Sequence, residues 1–315
     1  MIIQKIPHYI DSMLTQEMAR MALEGGKVVI AWYTNQENKQ SVVHSHPYHE
    51  LIIPFKGSMV QYSSAGSLYT LHVGELIFFP AEQFHSGKYD LTDTVSERLV
   101  IQVDADIWES AAQRCGLASP AWTKEVTILN ADSVSTWDLR GLFERMAQSP
   151  YIKKQYQNAI LESQLVEFQL LTNQIVEEKH TQAPSSTNAL IAQAVAYLQE
   201  NYTNPDLTVA DLATYTYTSR EYLSRSFKKY TMESIHGYLT NLRMQHCRRA
   251  IAAGTSILDA CTESGFSNYS SFLKTFRRLY GMTPADYRNQ LNELCGKCQL
   301  DLLEQTKTLS ASAQQ

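Results

Sequence analysis

At 315 residues the chain is long enough for two domains, each able to close its own hydrophobic core, and too long for a single small module. Hydrophobic residues make up 44% and charged residues 19%, with 13 Gly and 9 Pro, a composition that excludes a disordered or fibrous chain. The net charge of −5 argues against a nucleic-acid partner only on average: residues 188–293 carry 11 Lys+Arg against 9 Asp+Glu, whereas residues 1–187 carry 14 against 21.

The opening stretch MIIQKIPHYIDSML lacks the unbroken apolar segment of a signal peptide, and no apolar run reaches the roughly 18 residues of a membrane span. A soluble, cytoplasmic chain with no membrane partner is expected. Five cysteines, an odd number, suit a reducing compartment better than a disulfide framework.

Between residues 27 and about 104, the runs VVIAWY, LIIPF, MVQY, SLYTL, LIFFP and RLVIQV are short, rich in β-branched and aromatic residues, and punctuated by glycines. That pattern predicts a β-sandwich or barrel. Residues from about 105 to 180 have helical spacing. In the segment 151–179, Leu161, Leu165, Phe168 and Ile175 fall on one face, to be buried either within the chain or against the same helix of a second copy in a homodimer. HTQAPSSTN is polar and aperiodic, so residues 181–188 are expected to be a linker. Helical spacing resumes at Ala189, with Ile191, Ala194, Val195 and Leu198 on one side, and continues to residue 293. The tail 294–315 contains CGKC, Cys295 to Cys298, which alone is a weak sign of redox or metal chemistry.

Two groups of residues carry chemistry. In the front half, His44, His46 and Glu50 stand at H-x-H-x-x-x-E spacing, and GELIFFPAEQFH ends on His85. Alternate residues of a strand share a face, so His44 and His46 can point inward together, as a three-His-one-carboxylate site for Zn, Fe, Mn or Ni needs. The same four residues can instead serve as hydrogen-bonding groups toward an organic effector. Tyr33, Trp32, Tyr62 and Phe84 are aromatic candidates for that pocket or for ordinary core. His49 is expected to point away from Glu50, at the surface.

In the back half, DLTVADLATYTYTSREYLSRSFKKY and TSILDACTESGFSNYSSFLKTFRRLYG echo each other as helix, tight turn, helix. Ser219 and Asn268 are the expected N-caps of the second helices. Leu223 and Phe227, like Phe272 and Phe276, lie at i, i+4 and predict buried stripes. The opposite faces carry Arg220, Glu221, Ser224 and Arg225 in one copy, and Tyr269, Ser270, Ser271 and Lys274 in the other. Lys228, Lys229, Arg277 and Arg278 stand at the helix ends. Such a helix offers hydrogen-bonding groups to a major groove and cations to phosphates.

YLSRSFKKY, GYLTNLRMQHCRRAI and SILDACTESGFSNYSSFLKTFRRLYGMTPADYR resemble the AraC/XylS family of bacterial transcription regulators over about 100 residues. The resemblance implies an all-α domain, 189–293, of two helix-turn-helix units joined by a helix from about Ile235 to Ala252. It implies promoter DNA and RNA polymerase as partners and activation as the outcome. Tyr217 and Met232 stand where the family usually has glycine, at positions that favour a left-handed backbone. Cys261 replaces a usual alanine and is expected to be a buried spacer. The two motifs ending at Glu50 and His85 resemble those of the cupin superfamily, with Asn38 and Glu82 at usual glycine positions. They imply a jelly-roll β-barrel within an α+β domain, 1–180, that aims the three histidines and Glu50 at one interior point. The whole reads as a ligand-responsive regulator rather than an enzyme, sensing a small molecule, a sugar first among them. The alternative is a metal-dependent cupin enzyme or metal sensor with an accessory DNA-binding domain.

Overall fold

The computed structural model describes residues 28–35, 39–57, 59–89, 95–114, 116, 121–146, 148, 151–178 and 181–293. Asn38, Cys295, Cys298 and the tail lie outside the described residues, as does the side chain of Trp32. The strands are β1 (Val28–Asn35), β2 (Lys39–Gln40), β3 (Tyr48–Lys56), β4 (Val60–Ser64), β5 (Ser67–Leu71), β6 (Leu76–Phe79), β7 (His85–Tyr89), β8 (Ser96–Asp104), β9 (Thr127–Leu129), β10 (Thr181–Gln182) and β11 (Ser186–Thr187). Among the described residues they form two sheets, ordered β1-β8-β3-β6-β9-β10 and β11-β5-β4-β7-β2, with every pairing antiparallel.

The sheets do not close into a barrel, which corrects the jelly-roll expectation. Three of the four edge strands, β2, β10 and β11, are two residues long, too short to carry a ladder from one sheet to the other. The isolated bridge His44–His85 adds a single pairing beside β7. The sheets instead share a core in which Ile52, Ile77, Phe79, Val100 and Ile128 of the first meet Val60, Tyr62, Tyr69, Leu71 and Tyr89 of the second.

The period of two explains a second core. Leu51, Ile53, Phe78, Leu99 and Ile101 leave the first sheet on its other face, where helices cover them. These are α1 (Ala105–Arg114), α2 (Ala131–Thr136), α3 (Leu139–Met146) and α4 (Lys154–Glu177), contributing Trp108, Val134, Phe143 and Phe168. Leu161, Leu165 and Ile175 of α4 lie in this core, so the apolar stripe of that helix is buried within its own chain. The same cover corrects the expectation for His49. It does point away from Glu50, but it is buried, with its ring against Phe78 and Trp108 and its Nδ1 accepting from the Ala81 amide at 3.1 Å. Burial, above all, pushes its imidazole down to about 4.

The remaining helices are α5 (Ala189–Asn201), α6 (Val209–Tyr215), α7 (Arg220–Thr231), α8 (Ile235–Ala252), α9 (Ile257–Glu263) and α10 (Tyr269–Tyr280), and residues 284–293 are also helical. No helix among the described residues is long and apolar enough to cross a membrane. The segment expected to be a linker is built into the sheets: β10 pairs with β9 in the first, and β11 with β5 in the second. Immediately after it, Asn188 donates its amide to the Gly66 carbonyl at 3.1 Å and accepts from the Ile191 amide at 3.2 Å, starting α5 against the β4–β5 turn. Gly66 has φ +76°, and a Cβ there would stand 2.5 Å from the Ala192 nitrogen, so only glycine fits.

The described residues divide into two compact units, one of 28–201 with 207–241, the other of 202–206 with 242–293. The first helix-turn-helix therefore packs as one body with the sheets. In the same unit Leu223, Phe227, Ile191, Val195 and Leu198 are all buried, with Phe227 edge-on to Tyr238. The second unit is built on Met244, Cys247, Ile251, Ala260, Cys261, Phe272, Phe276 and Tyr287.

Candidate nucleic-acid interface and ligand cluster

The two helix-turn-helix units are made by one local recipe. Thr208 and Ser256 accept the amides of Asp211 and Asp259, and each hydroxyl also donates to that Asp carboxylate, fixing the starts of α6 and α9. Both helices end in a Schellman turn. After α6, Tyr217 donates to the Thr214 carbonyl at 3.2 Å and Thr218 to the Ala213 carbonyl at 3.0 Å. After α9, Gly265 and Phe266 repeat this with Thr262 and Cys261 at 3.0 and 3.3 Å. The residue in the left-handed conformation is Tyr217 at φ +52° in the first copy and Gly265 at φ +84° in the second. A non-glycine residue there costs about 1 kcal/mol. Met232, at φ +61°, meets the same cost after α7, where α10 ends on Gly281.

Ser219 and Asn268 then cap the second helices, accepting the Tyr222 and Ser271 amides at 3.3 and 2.8 Å. Leu223, Phe227, Phe272 and Phe276 are fully buried. That leaves Arg220, Glu221, Ser224, Arg225, Lys228 and Lys229 exposed on α7, and Asn268, Tyr269, Ser270, Ser271, Lys274, Arg277 and Arg278 exposed at or on α10. Cys261 is buried, and burial pushes its thiol up to about 11, a spacer with no thiolate to react.

Residues 212–290 match the helix-turn-helix domain family. The described helices α6 to α10 lie within or overlap that matched span. The chain is similar to the regulatory protein PocR of Salmonella typhimurium, 33% identical over 116 residues, which are 36% of this chain and 38% of that one. It is similar to the melibiose operon regulatory protein of Escherichia coli, 30% identical over 99 residues, 31% of this chain and 32% of that one. The chain thus spans about a third of the length of these curated relatives. Among solved structures, ToxT of Vibrio cholerae with a bound unsaturated fatty acid aligns with 83% of this chain and 94% of its own at a TM-score of 0.40 and 14% identity.

Ahead of this helix-turn-helix domain, the structure brings His44, His46, Glu50 and His85 together between the sheets, their ligand atoms all within 4.8 Å of one another. Glu50 stands on the inner face of β3 and His85 on that of β7. Each histidine gives its Nδ1 to a main-chain carbonyl: His44 to Val42 at 2.9 Å, His46 to Tyr48 at 2.8 Å, His85 to Gln83 at 2.9 Å. A carbonyl only accepts, so each Nδ1 carries a proton. The Nε2 atoms of His46 and His85 lie 3.2 and 3.0 Å from the same Glu50 Oε2. The Gln102 amide donates to the other carboxylate oxygen at 3.1 Å. Burial, and then the neighbouring His85 and His46, pushes His44 down to about 3, and burial also lowers His46. Burial acts to raise the Glu50 carboxyl, but hydrogen bonding and charge from His46 and His85 outweigh it and hold it well below the ordinary carboxylate range.

The aromatic candidates are part of the wall. Tyr62 is 2% exposed with its hydroxyl 2.9 Å from that of Tyr89. Tyr33 is half-buried, and the Arg98 guanidinium lies 4.9 Å from its ring centre and 4.3 Å from that of Tyr89. Phe84 is half-buried, its carbonyl accepting from Ser64 at 2.9 Å.

One set of functional contacts escapes sequence reasoning. On the outer face of the second sheet, Ser63 donates to the Tyr230 carbonyl and Gln40 to the Met232 carbonyl, both at 2.6 Å. Ser186 donates to the Tyr230 hydroxyl at 3.1 Å, and Ser86 lies 3.5 Å from the Thr231 carbonyl. The final carbonyls of α7, left without partners inside the helix, are thus capped by the sheet. The only signal in the sequence is the strand period: Ser86 follows His85, and Ser63 precedes Ser64, so each must face out where its neighbour faces in.

Proposed function

We propose that the chain is a ligand-responsive transcription regulator that reads promoter DNA with α7 and α10 and senses a small ligand between its two sheets. The observation that carries this reading is the duplicated helix-turn-helix of residues 212–290, each copy with an exposed polar face and a basic end. Arg225 is suited to a bidentate contact with a guanine edge, and Lys228, Lys229, Arg277 and Arg278 to flanking phosphates. Arg225→Ala is expected to weaken binding to a duplex selected from a randomised pool by about 1–3 kcal/mol, and binding to unselected duplex by less. Lys274→Ala is expected to weaken both. Titration of the full chain with the two duplexes checks this; wild-type affinity in both variants would remove the DNA reading.

A metal sensor is the second reading, and the convergence of the four donors favours it over an organic ligand. Their ligand atoms lie within 4.8 Å of one another, and with each Nδ1 turned to a main-chain carbonyl the Nε2 atoms of His46 and His85 are turned to the Glu50 carboxylate, a donor set that suits a divalent cation. His44, His46, Glu50 and His85 would hold it, with the main-chain carbonyls on Nδ1 and Gln102 on Glu50 orienting the donors. Bound there, the ion supplies charge that ties β3 to β7.

The outer-face capping contacts give this occupancy a route to DNA. His85 faces the cluster and Ser86 faces α7, while their ladder partners Ser64 and Ser63 do the same on β4. A ligand that alters β7 biases how firmly the end of α7 is held, a population shift with differential contacts in each state. In the double variant Ser63→Ala, Gln40→Ala, the ratio of DNA affinities with and without zinc is expected to fall toward one. An unchanged ratio different from one would assign the coupling elsewhere.

A further inference from the structure

We propose that Tyr217, in the turn of the first helix-turn-helix, is a DNA-contact residue whose hydroxyl donates to a backbone phosphate beside the site read by α7. The inference rests on the DNA-binding reading and adds a residue to it. Tyr217 is 97% exposed, so its ring contributes almost nothing to the packing of its own chain. It also occupies a left-handed position, φ +52°, where a tyrosine is less stable than glycine.

The second copy of the same turn is the internal control. Both turns make the same pair of hydrogen bonds, yet the second uses Gly265. Glycine is obligatory there for a local reason: a Cβ would stand 2.6 Å from the Tyr202 carbonyl oxygen. In the first copy the side chain projects into solvent instead, at the edge of an open cleft of about 560 Å³ lined with Thr214, Thr218, Ser219 and Arg220. A strained backbone that holds a wholly exposed ring serves something outside the chain. The partner that a helix-turn-helix brings to this edge is duplex DNA, and a residue just ahead of the recognition helix sits at the lip of the groove, where the phosphates are.

A phenol is a neutral donor, which fixes what the experiment must read. It displaces no counterion, so its loss leaves the salt dependence of binding unchanged, and a phosphate contact weakens all sequences alike. Tyr217→Gly and Tyr217→Phe are therefore expected each to lose about tenfold in affinity, equally for the selected and unselected duplexes, with the slope of log affinity against log salt as in wild type. Tyr217→Gly is expected to melt at or above the wild-type temperature, which separates lost contact from lost fold. Wild-type affinity in Tyr217→Phe would overturn the hydroxyl contact. Wild-type affinity in Tyr217→Gly would overturn the DNA role altogether, and a transcription defect in that variant with unimpaired DNA binding would move the residue to a polymerase contact. Loss on Arg225→Ala but none on either Tyr217 variant sinks this inference and leaves the DNA reading standing; no loss in any of them sinks both.

Discussion

Replacing Glu50 by glutamine is expected to abolish the stability that zinc adds to the protein. With zinc at a hundred times its dissociation constant, the wild type gains about 2.7 kcal/mol from mass action, and the variant, lacking the anionic ligand, gains almost nothing. With a chelator present the difference narrows. The carboxylate then keeps only the His46 and His85 Nε2 atoms at 3.2 and 3.0 Å and the Gln102 amide, and the glutamine side chain can still accept from Gln102. Glu50→Gln should therefore melt closer to the wild type in chelator than in zinc. Thermal melts of both proteins under both conditions, with metal content measured on the purified chain, check this. A wild type whose melting temperature ignores zinc, iron, manganese and nickel would return the cluster to an organic ligand.

Phe272→Ala is expected to remove the second reading helix while leaving the sheets intact. Phe272 is completely buried, with Phe266, Tyr269 and Phe276 around it at ring separations of 5.3 to 5.8 Å. Truncating such a ring costs about 3–5 kcal/mol, partly as lost burial and partly as the cavity left behind. The second unit is small, and a domain's whole stability is only about 5–15 kcal/mol. Hydrogen exchange should then report protection lost in residues 242–293 and retained in the strands. Binding to the selected duplex should drop to the level of unselected DNA. Specific binding at wild-type strength would mean that α7 alone does the reading.

Much of this was written plainly in the chain. The runs VVIAWY, LIIPF, LIFFP and RLVIQV became β1, β3, β6 and β8, which alternate between two buried faces, and MVQY and SLYTL became β4 and β5, which turn Val60, Tyr62, Tyr69 and Leu71 inward. The caps Ser219 and Asn268 were legible because local chemistry decides them, and the connecting helix from Ile235 to Ala252 followed from the family resemblance. The strands β2, β9, β10 and β11 were not, since two or three residues leave no period to read; they exist because a neighbouring edge offers partners. His49 was misplaced for a related reason. The period gave its direction correctly, but whether that direction meets water or helices α1 and α4 is a tertiary fact. The shared face of His44 and His46 was foreseen from spacing and the convergence of Glu50 and His85 on them from the cupin resemblance, whereas the turning of each Nδ1 to a carbonyl two residues away depends on local backbone geometry that spacing does not give.

The stitching of residues 181–187 into both sheets has a thermodynamic corollary. A loose tether lets two domains search for one another at an effective concentration set by its length, but here that freedom has to be released first. Unzipping β10 and β11 sacrifices their ladder bonds and returns about 1–2 kcal/mol of backbone entropy for each residue set loose. A proline placed at Ser186 would therefore weaken the fastening of β11 to β5 without altering either the histidine cluster or the exposed faces of α7 and α10.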